Sequence, residues 1–195
     1  VAGLALPDPP LADAVVALRG WQAADVPSAI MGFADSTVQR FSWMGTAPYT
    51  EADAYGFFAH QDQARHRGEE LNLAFTDPGD PRAVLGGGSI YGIDLEQGRA
   101  TVGYWLTPAA RGRGIATHAT LLMARWAFAT LAIARLELTC GPDNVASQRV
   151  AERCGFTREG VLRSYIPFKG GRRDTVMFSL LAGELGELAD GAELP

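Results

Sequence analysis

The sequence predicts an α/β fold, a single domain in which strands and helices interleave around one mixed sheet. Apolar positions switch along the chain between alternation, as at Leu71, Leu73 and Phe75, and a helical period, as at Leu121, Leu122, Trp126 and Ala129. The two patterns follow one another through the chain instead of separating into blocks, which predicts mixed packing. With 195 residues, 47% of them hydrophobic, the chain is long enough for one ordinary core, and it carries no internal repeat that would announce a second.

Each element has its own signal. Residues 1–12, with Pro7, Pro9 and Pro10, read as an N-terminal arm, and the domain extends over 13–182. Val15 to Leu18 suit a first strand; a helix opens at Ala23, with Asp25 as its cap and Pro27 in its first turn, and runs to about Phe33. Phe41, Trp43 and Met44 form an aromatic cluster. Thr50 with Asp53 three residues on marks the start of a second helix, ending near Arg67, whose Phe57 and Phe58 read as core, with walls of an acceptor site as the alternative. The dense turn Asp77-Pro78-Gly79-Asp80-Pro81 then joins two strands into a hairpin. Gly86 to Gly88 are not followed by Lys-Ser or Lys-Thr, so they read as a strand with close backbone approach and not as a phosphate loop. Strands follow at Arg99–Thr107 and around Leu136 and Leu138, with a helix over Ala116–Leu131 between them. Asn144 to Arg153 form a short helix ended by Gly155, and Phe156–Arg163 and Thr175–Leu181 close the sheet. The acidic stretch 183–195 reads as a loose tail.

Composition removes several function classes. A net charge of −5 and a pI near 5.2 argue against a nucleic-acid-binding surface and favour a cationic or amine-bearing partner. Cys140 and Cys154 are too few for a disulfide scaffold and lack zinc-site spacing, while His60, His66 and His118 are scattered, so no metal is predicted. No apolar stretch reaches the roughly 18 residues that span a bilayer, which predicts a cytoplasmic protein with no membrane partner.

The informative stretch is Arg111-Gly112-Arg113-Gly114-Ile115-Ala116, between a strand and a helix. Glycines at 112 and 114 let the backbone fold tightly with its N–H groups inward, and the helix N-terminus adds about half a positive charge beneath them. Such a turn suits a pyrophosphate, and Arg111 and Arg113 add cations at its mouth. A dinucleotide fold would need Gly-x-Gly-x-x-Gly early in a βαβ unit, whereas this turn lies past mid-chain and reads Gly-x-Gly-x-Ala.

In its setting the turn resembles a known signature. Val102-Gly103-Tyr104-Trp105-Leu106-Thr107-Pro108 followed by Arg111-x-x-Gly114-x-Ala116 is similar to the acetyl-coenzyme-A motif of the GNAT superfamily. Pro142 to Ser147, Ala151 to Phe156, Glu159-Gly160 and Gly170-Gly171-Arg172-Arg173-Asp174 resemble its RimJ/RimL branch, whose named members acetylate the N-termini of ribosomal proteins. The resemblance implies a mostly antiparallel sheet splayed at its central strands, and transfer of an acetyl group from acetyl-CoA to a primary amine, on a peptide N-terminus or a small molecule. It implies that Trp105, Leu106 and Thr107 pair with the pantetheine arm, that Arg111, Gly112, Arg113, Gly114, Ile115 and Ala116 hold the pyrophosphate with Thr117 nearby, and that Asn144 bonds the arm. Ser147 would lie near the sulfur and protonate the departing thiolate, a backbone N–H near Leu106 would support the oxyanion, and two subunits would pair. Read from the residues alone, Asn144 and Ser147 are a helix cap and an exposed first-turn residue.

The base is less plain, because Thr101 and Ile166 stand where relatives often carry glutamate. Asp94, Glu96 and Glu137 substitute by strand position, each reading first as a solvated edge carboxylate, and Tyr104, otherwise a sheet-packing residue, and Tyr165 are the nearest hydroxyls; Glu137 and Tyr165 join Ser147 as the catalytic candidates. A cysteine nucleophile would need a neighbouring base that the sequence does not show. Two other readings stand beside the N-acetyltransferase: an acyl-CoA sensor without turnover, suggested by the missing glutamates, and a transferase using another acyl-CoA such as succinyl-CoA.

Overall fold

The computed structural model describes residues 3–42 and 48–188. Asp13 opens the domain by accepting the N–H groups of Val15 (2.8 Å) and Val16 (3.0 Å) on one carboxylate oxygen. That turn holds Val15 and Val16 out of the first long strand pairing, so the strand expected at Val15–Leu18 is β2 (Ala17–Arg19). It pairs with β1 (Leu11–Ala12), through which the end of the expected arm joins the sheet.

Asp25 holds the N-cap position expected for it, with Pro27 in the first turn, but its side chain makes no cap bond to that helix. It ends a 3-10 turn, Ala23–Asp25, ahead of α1 (Val26–Ala34), and its carboxylate binds Arg19 at 2.7 and 2.8 Å and the Gln22 N–H at 2.8 Å. Buried, the charge is compensated by a forked partner and a main-chain donor. A six-residue helix absent from the sequence reading, α2 (Ser36–Phe41), follows directly, with Asp35 accepting the N–H groups of Thr37 (3.1 Å) and Val38 (3.0 Å). Trp43 and Met44 of the expected aromatic cluster lie outside the described residues. α3 (Glu51–His66) starts with the reciprocal cap that Thr50 and Asp53 announce: Thr50 Oγ1 accepts the Asp53 N–H, and Asp53 Oδ2 accepts the Thr50 N–H.

The remaining elements are β3 (Leu71–Asp77), β4 (Asp80–Asp94), β5 (Arg99–Leu106), α4 (Ile115–Leu131), β6 (Arg135–Cys140), α5 (Val145–Arg153), β7 (Thr157–Phe168) and β8 (Gly171–Leu181). A 3-10 turn over Ala182–Leu188 occupies the start of the expected tail, with Glu184 accepting the Leu181 N–H and Leu185 packed on the core. The eight strands lie in the order β1-β2-β3-β4-β5-β6-β8-β7, and β5 with β6 is the parallel pair; the other neighbours are antiparallel. The sheet is therefore α/β and mostly antiparallel, as the resemblance implies.

Strand alternation gives the sheet two unlike faces. Leu71, Leu73, Phe75, Ile90, Leu136, Leu138, Phe178 and Leu180 are fully shielded on the face covered by α4, where Ala119, Met123 and Ala127 meet them. Each such Leu or Phe contributes about 1.5–3 kcal/mol by leaving water. On the opposite face Ala29, Phe33 and Val38 gather Trp21, Tyr49, Phe58 and Trp105. Phe58, half-buried, stacks on Trp21 (5.1 Å) and packs on this cluster, while Phe57, also half-buried, meets Phe33 edge-on (6.1 Å) at its border.

Small residues make this second layer possible. An added Cβ at Gly87 would stand 2.5 Å from Trp21, and one at Gly32 would stand 2.0 Å from Trp105, so both rings lie where any other residue would put a side chain. Among the described residues no helix is long and apolar enough to cross a membrane.

Candidate functional site

The site begins where β5 and β6 part. Their register runs from Arg99↔Arg135 to Val102↔Leu138 and stops, while β5 stays paired with β4 as far as Leu106 opposite Gly86. The Thr107 N–H donates to Leu85 O across β4 (2.9 Å), and main-chain groups alternate in direction along a strand, so those of Tyr104 and Leu106 point into the gap. The splay expected at the central strands is present, and its open edge is smaller than the resemblance implies. Trp105 and Thr107 turn their main-chain groups to β4, and Thr107 Oγ1 also donates to Leu85 O (3.1 Å). Leu106 and Tyr104 are the pair that face the opening.

The open edge leads to the turn before α4. A 3-10 turn, Pro108–Ala110, carries the chain to Gly112 (φ +72°) and Gly114 (φ +76°), the latter being the N-cap of α4 with no side-chain oxygen to offer its first turn. The first N–H groups of α4 therefore lack the usual capping partner. A Cβ at Gly112 would meet nothing within 4 Å, so the turn is open on its outer side. These features fit an anionic diphosphate. Ile115, Ala116 and Thr117 are buried, so what they offer such a ligand is their main chain.

The arginines differ from expectation in their directions. Arg113 is exposed, whereas Arg111 donates to Asp35 Oδ1 and to Leu106 O (3.0 Å), tying the turn to the cap of α2. Burial would raise the Asp35 carboxyl, but the Arg111 bond and the Val38 and Thr37 N–H groups hold it below the usual range. Beside the turn, His118 contacts Asp13 (2.7 Å), and its ring is 3.5 Å from where a Gly114 Cβ would stand.

Across the gap, Asn144 caps α5, accepting the Ser147 N–H (3.2 Å), which is the cap role read from the residues alone. Ser147 Oγ lies 3.2 Å from Tyr104 Oη. Burial pushes the Tyr104 phenol far above its ordinary range, the Ser147 bond acting the other way. Burial also pushes the Cys140 thiol up to about 11 and that of Cys154 up to about 12, neither value suited to a nucleophile near neutrality. The Tyr104–Ser147 pair spans 43 residues of sequence.

Glu137 and Tyr165 come together. With Gly92, Asp94, Arg99, Ala100 and Thr101 they line a polar cavity of about 210 Å³ at the foot of the gap. Glu137 Oε1 accepts from Arg135 Nε (2.8 Å), and Arg135 grips Glu159 with its other nitrogens (2.7 and 2.6 Å). Glu96 lies exposed in the β4–β5 turn and does not line this cavity. Among the described residues no group of three or more His, Cys, Asp or Glu could hold a metal ion.

Residues that the sequence reading did not single out also border the gap. Tyr91 lies over Gly103, its ring 3.3 Å from where a Cβ there would stand. Arg40 pairs with Asp143 (2.8 Å), Lys169 donates to Gln39 O, and Arg173 faces Gly141 and the ring of Phe168.

Known proteins resemble this chain in sequence and fold. Residues 16–157 match the family described as the acetyltransferase (GNAT) domain. An uncharacterized N-acetyltransferase of Bacillus licheniformis is 38% identical over 92 residues, 47% of this chain and 52% of that protein. A probable N-acetyltransferase of Bacillus subtilis is 37% identical over 116 residues, 58% of this chain and 62% of that one. The chain thus spans a little over half the length of these curated relatives. Among solved structures, Mycobacterium smegmatis RimJ in complex with CoA-disulfide superposes with a TM-score of 0.80 at 24% identity, covering 95% of this chain and 88% of that one, a likeness of fold. The matched family takes in the parted strands, the glycine turn and the Asn144–Ser147 cap, and the chain belongs to the acetyltransferase (GNAT) domain family.

Proposed function

We infer that this protein is an N-acetyltransferase that passes an acetyl group from acetyl-CoA to a primary amine by direct attack. The observation that carries the reading is the continuity of the gap with the turn. Main-chain groups of Tyr104 and Leu106 face an opening that ends at an uncapped helix N-terminus flanked by two glycines in the left-handed region. An extended, amide-bearing arm ending in a diphosphate has the shape and chemistry for that path.

In this reading Gly112 to Ala116 hold the diphosphate through main-chain N–H groups, and Leu106 and Asn144 bond the pantetheine amides. The coenzyme supplies an activated acyl thioester. The Leu106 N–H points into the gap, where it can stabilise negative charge on the thioester oxygen. Ser147 and Tyr104 both stay protonated near neutral pH, so they give the departing sulfur a hydrogen bond. The amine enters from the face bearing Trp105 and Tyr91. An α-amine has a pKa of about 7.7–8.0, so a useful fraction is already neutral, and one proton remains to be removed. The cavity of Thr101, Glu137 and Tyr165 offers that proton a polar exit. Arg135 already holds one Glu137 oxygen, so Glu137 acts there through water and not as an isolated carboxylate.

A thiol-release assay with acetyl-CoA and a panel of peptide and small amines tests this, with calorimetry on CoA beside it. CoA binding with acceptor-dependent release is expected, and Ser147→Ala should lower kcat by about tenfold or more while leaving CoA affinity within about twofold. Tight CoA binding with no release for any acceptor would instead establish a sensor.

A further inference from the structure

Arg173 differs from the other shielded arginines in having no anion. Arg19 holds Asp25, Arg111 holds Asp35, and Arg135 holds Glu137 and Glu159, whereas no carboxylate lies within 4 Å of Arg173 among the described residues. Among the described residues its Nε is buried without a partner, and Nη1 makes a long bond of 3.5 Å to Phe41 O. Two acids near it bond other groups, Asp143 accepting from Arg40 on Oδ2 (2.8 Å) and Asp174 accepting the Ser164 N–H on Oδ1 (2.7 Å), though Asp143 Oδ1 also faces the space beside Gly141. Burying guanidinium donors without acceptors is unfavourable, so this group is poised for a partner.

Its place indicates what that partner is. The guanidinium carbon lies over the Phe168 ring, 3.9 Å from its centroid, a cation–π contact. A Cβ at Gly141 would lie 2.9 Å from Asp143 Oδ1 and 3.5 Å from both Cζ and Nη1 of Arg173, so glycine there keeps open the space between the guanidinium and Asp143, beside the main chain leaving β6. That main chain is the far wall of the gap. Through Phe41 O, Arg173 stands on the α2 side of the sheet, opposite Ser147 of α5, and therefore on the side from which the amine enters.

We propose that Arg173 recognises a carboxylate on the amine acceptor, so that the acceptor class is amines bearing an anionic group close to the reacting nitrogen. This rests on the acetyltransferase reading and narrows its substrate. The planar fork supplies two parallel donors to a carboxylate, Phe168 lies beneath it, and the β7–β8 hairpin sets the distance to the gap. The carboxylate has two sources, the α-carboxylate of a free amino acid or an acidic side chain next to a peptide N-terminus.

Products test the proposal without requiring turnover. Calorimetry on the whole protein with CoA present would compare N-acetylserine with its carboxamide, and an N-acetylated tripeptide amide carrying aspartate at its second position with the asparagine version. One pair should show at least about tenfold tighter binding of the carboxylate form, the expected scale for a charged hydrogen-bonded pair, and identifies the source. Arg173→Gln should bring that ratio within about twofold with CoA affinity unchanged, and Arg173→Lys should keep part of it. Equal affinities in both pairs of the unmodified protein, binding of neither ligand, or a ratio that survives Arg173→Gln would overturn the proposal while CoA still binds. Absence of CoA binding itself would remove the acetyltransferase reading, and this proposal with it.

Discussion

Replacing Gly112 by Ala separates the two things its backbone does. Gly112 sits at φ +72° with open space where a Cβ would go, so a methyl group meets no neighbour and the whole cost is conformational. Holding an L-residue in the left-handed region costs about 1–2 kcal/mol. If the turn keeps its shape, that cost lowers stability, a fall in Tm of roughly 2–8 °C for a domain of this size. If the turn relaxes to negative φ, its N–H groups swing away and the same energy is lost on binding, about 5- to 30-fold in the Kd for CoA. The two losses should sum to the one backbone term, whatever its division. Gly112→Asn, which tolerates the left-handed region better, should lose clearly less in total. Thermal unfolding and CoA calorimetry on both variants measure the sum. A variant in which Ala leaves both Tm and Kd unchanged, or in which Asn loses as much as Ala, would refute the claim that a left-handed turn holds the diphosphate.

Two further outcomes follow from geometry away from the turn. Gly32→Ala places a methyl group 2.0 Å from a carbon of Trp105, so the ring must shift; the expected loss is about 1–3 kcal/mol by denaturant titration, with weakened CoA binding because Trp105 precedes Leu106 on the open strand. The Arg135 and Ser179 hydrogen bonds depress the Glu159 carboxyl from 4.5 to about 2. A depressed carboxyl adds stability above its unfolded pKa and loses it as pH falls through the folded one, so Tm should drop between about pH 4.5 and 2, by an amount kept small by solvent screening, and Glu159→Gln should flatten that part of the profile.

What could be read in advance was local. The capping pair Thr50 and Asp53, the glycine turn at 112 and 114, and Asn144 ahead of α5 each lie within three residues of the groups they act on, and each stands where the pattern put it. α2 escaped because Ser36–Phe41 is too short to show a period, and its cap, Asp35, serves Arg111 at the same time. Asp25 stands at the cap position, but its carboxylate serves Arg19, which only the fold brings to it. The strand with close backbone approach read at Gly86–Gly88 is part of β4, where a Cβ at Gly86 would stand 2.2 Å from Trp105 O; the rings of Trp21 and Phe75 over Gly87 and Gly88 arrive through the topology. The site escaped more than the fold for one reason. Tyr104 meets Ser147, Arg111 meets Asp35 and Arg173 meets Phe41 at separations of 43, 76 and 132 residues, and such pairings are properties of the topology.

The same topology explains why a helix of six residues matters to the gap. A parallel pair that parts after four registered positions gives up main-chain hydrogen bonds along both arms, and something must hold the arms at a fixed separation. α4 and α5 cover one face, but neither crosses the opening on the other. α2 does. Its cap binds Arg111 at the glycine turn, Arg40 binds Asp143 ahead of Asn144, and the carbonyls of Gln39 and Phe41 receive Lys169 and Arg173 from the β7–β8 hairpin. One short helix thus touches the turn after β5, the loop after β6 and the β7–β8 hairpin. Single exposed ion pairs contribute little, as at Arg40 and Asp143, but four contacts on one rigid turn share its ordering cost. The width of the gap is therefore set from the acceptor side of the sheet, so changes in α2 should alter coenzyme and acceptor binding together.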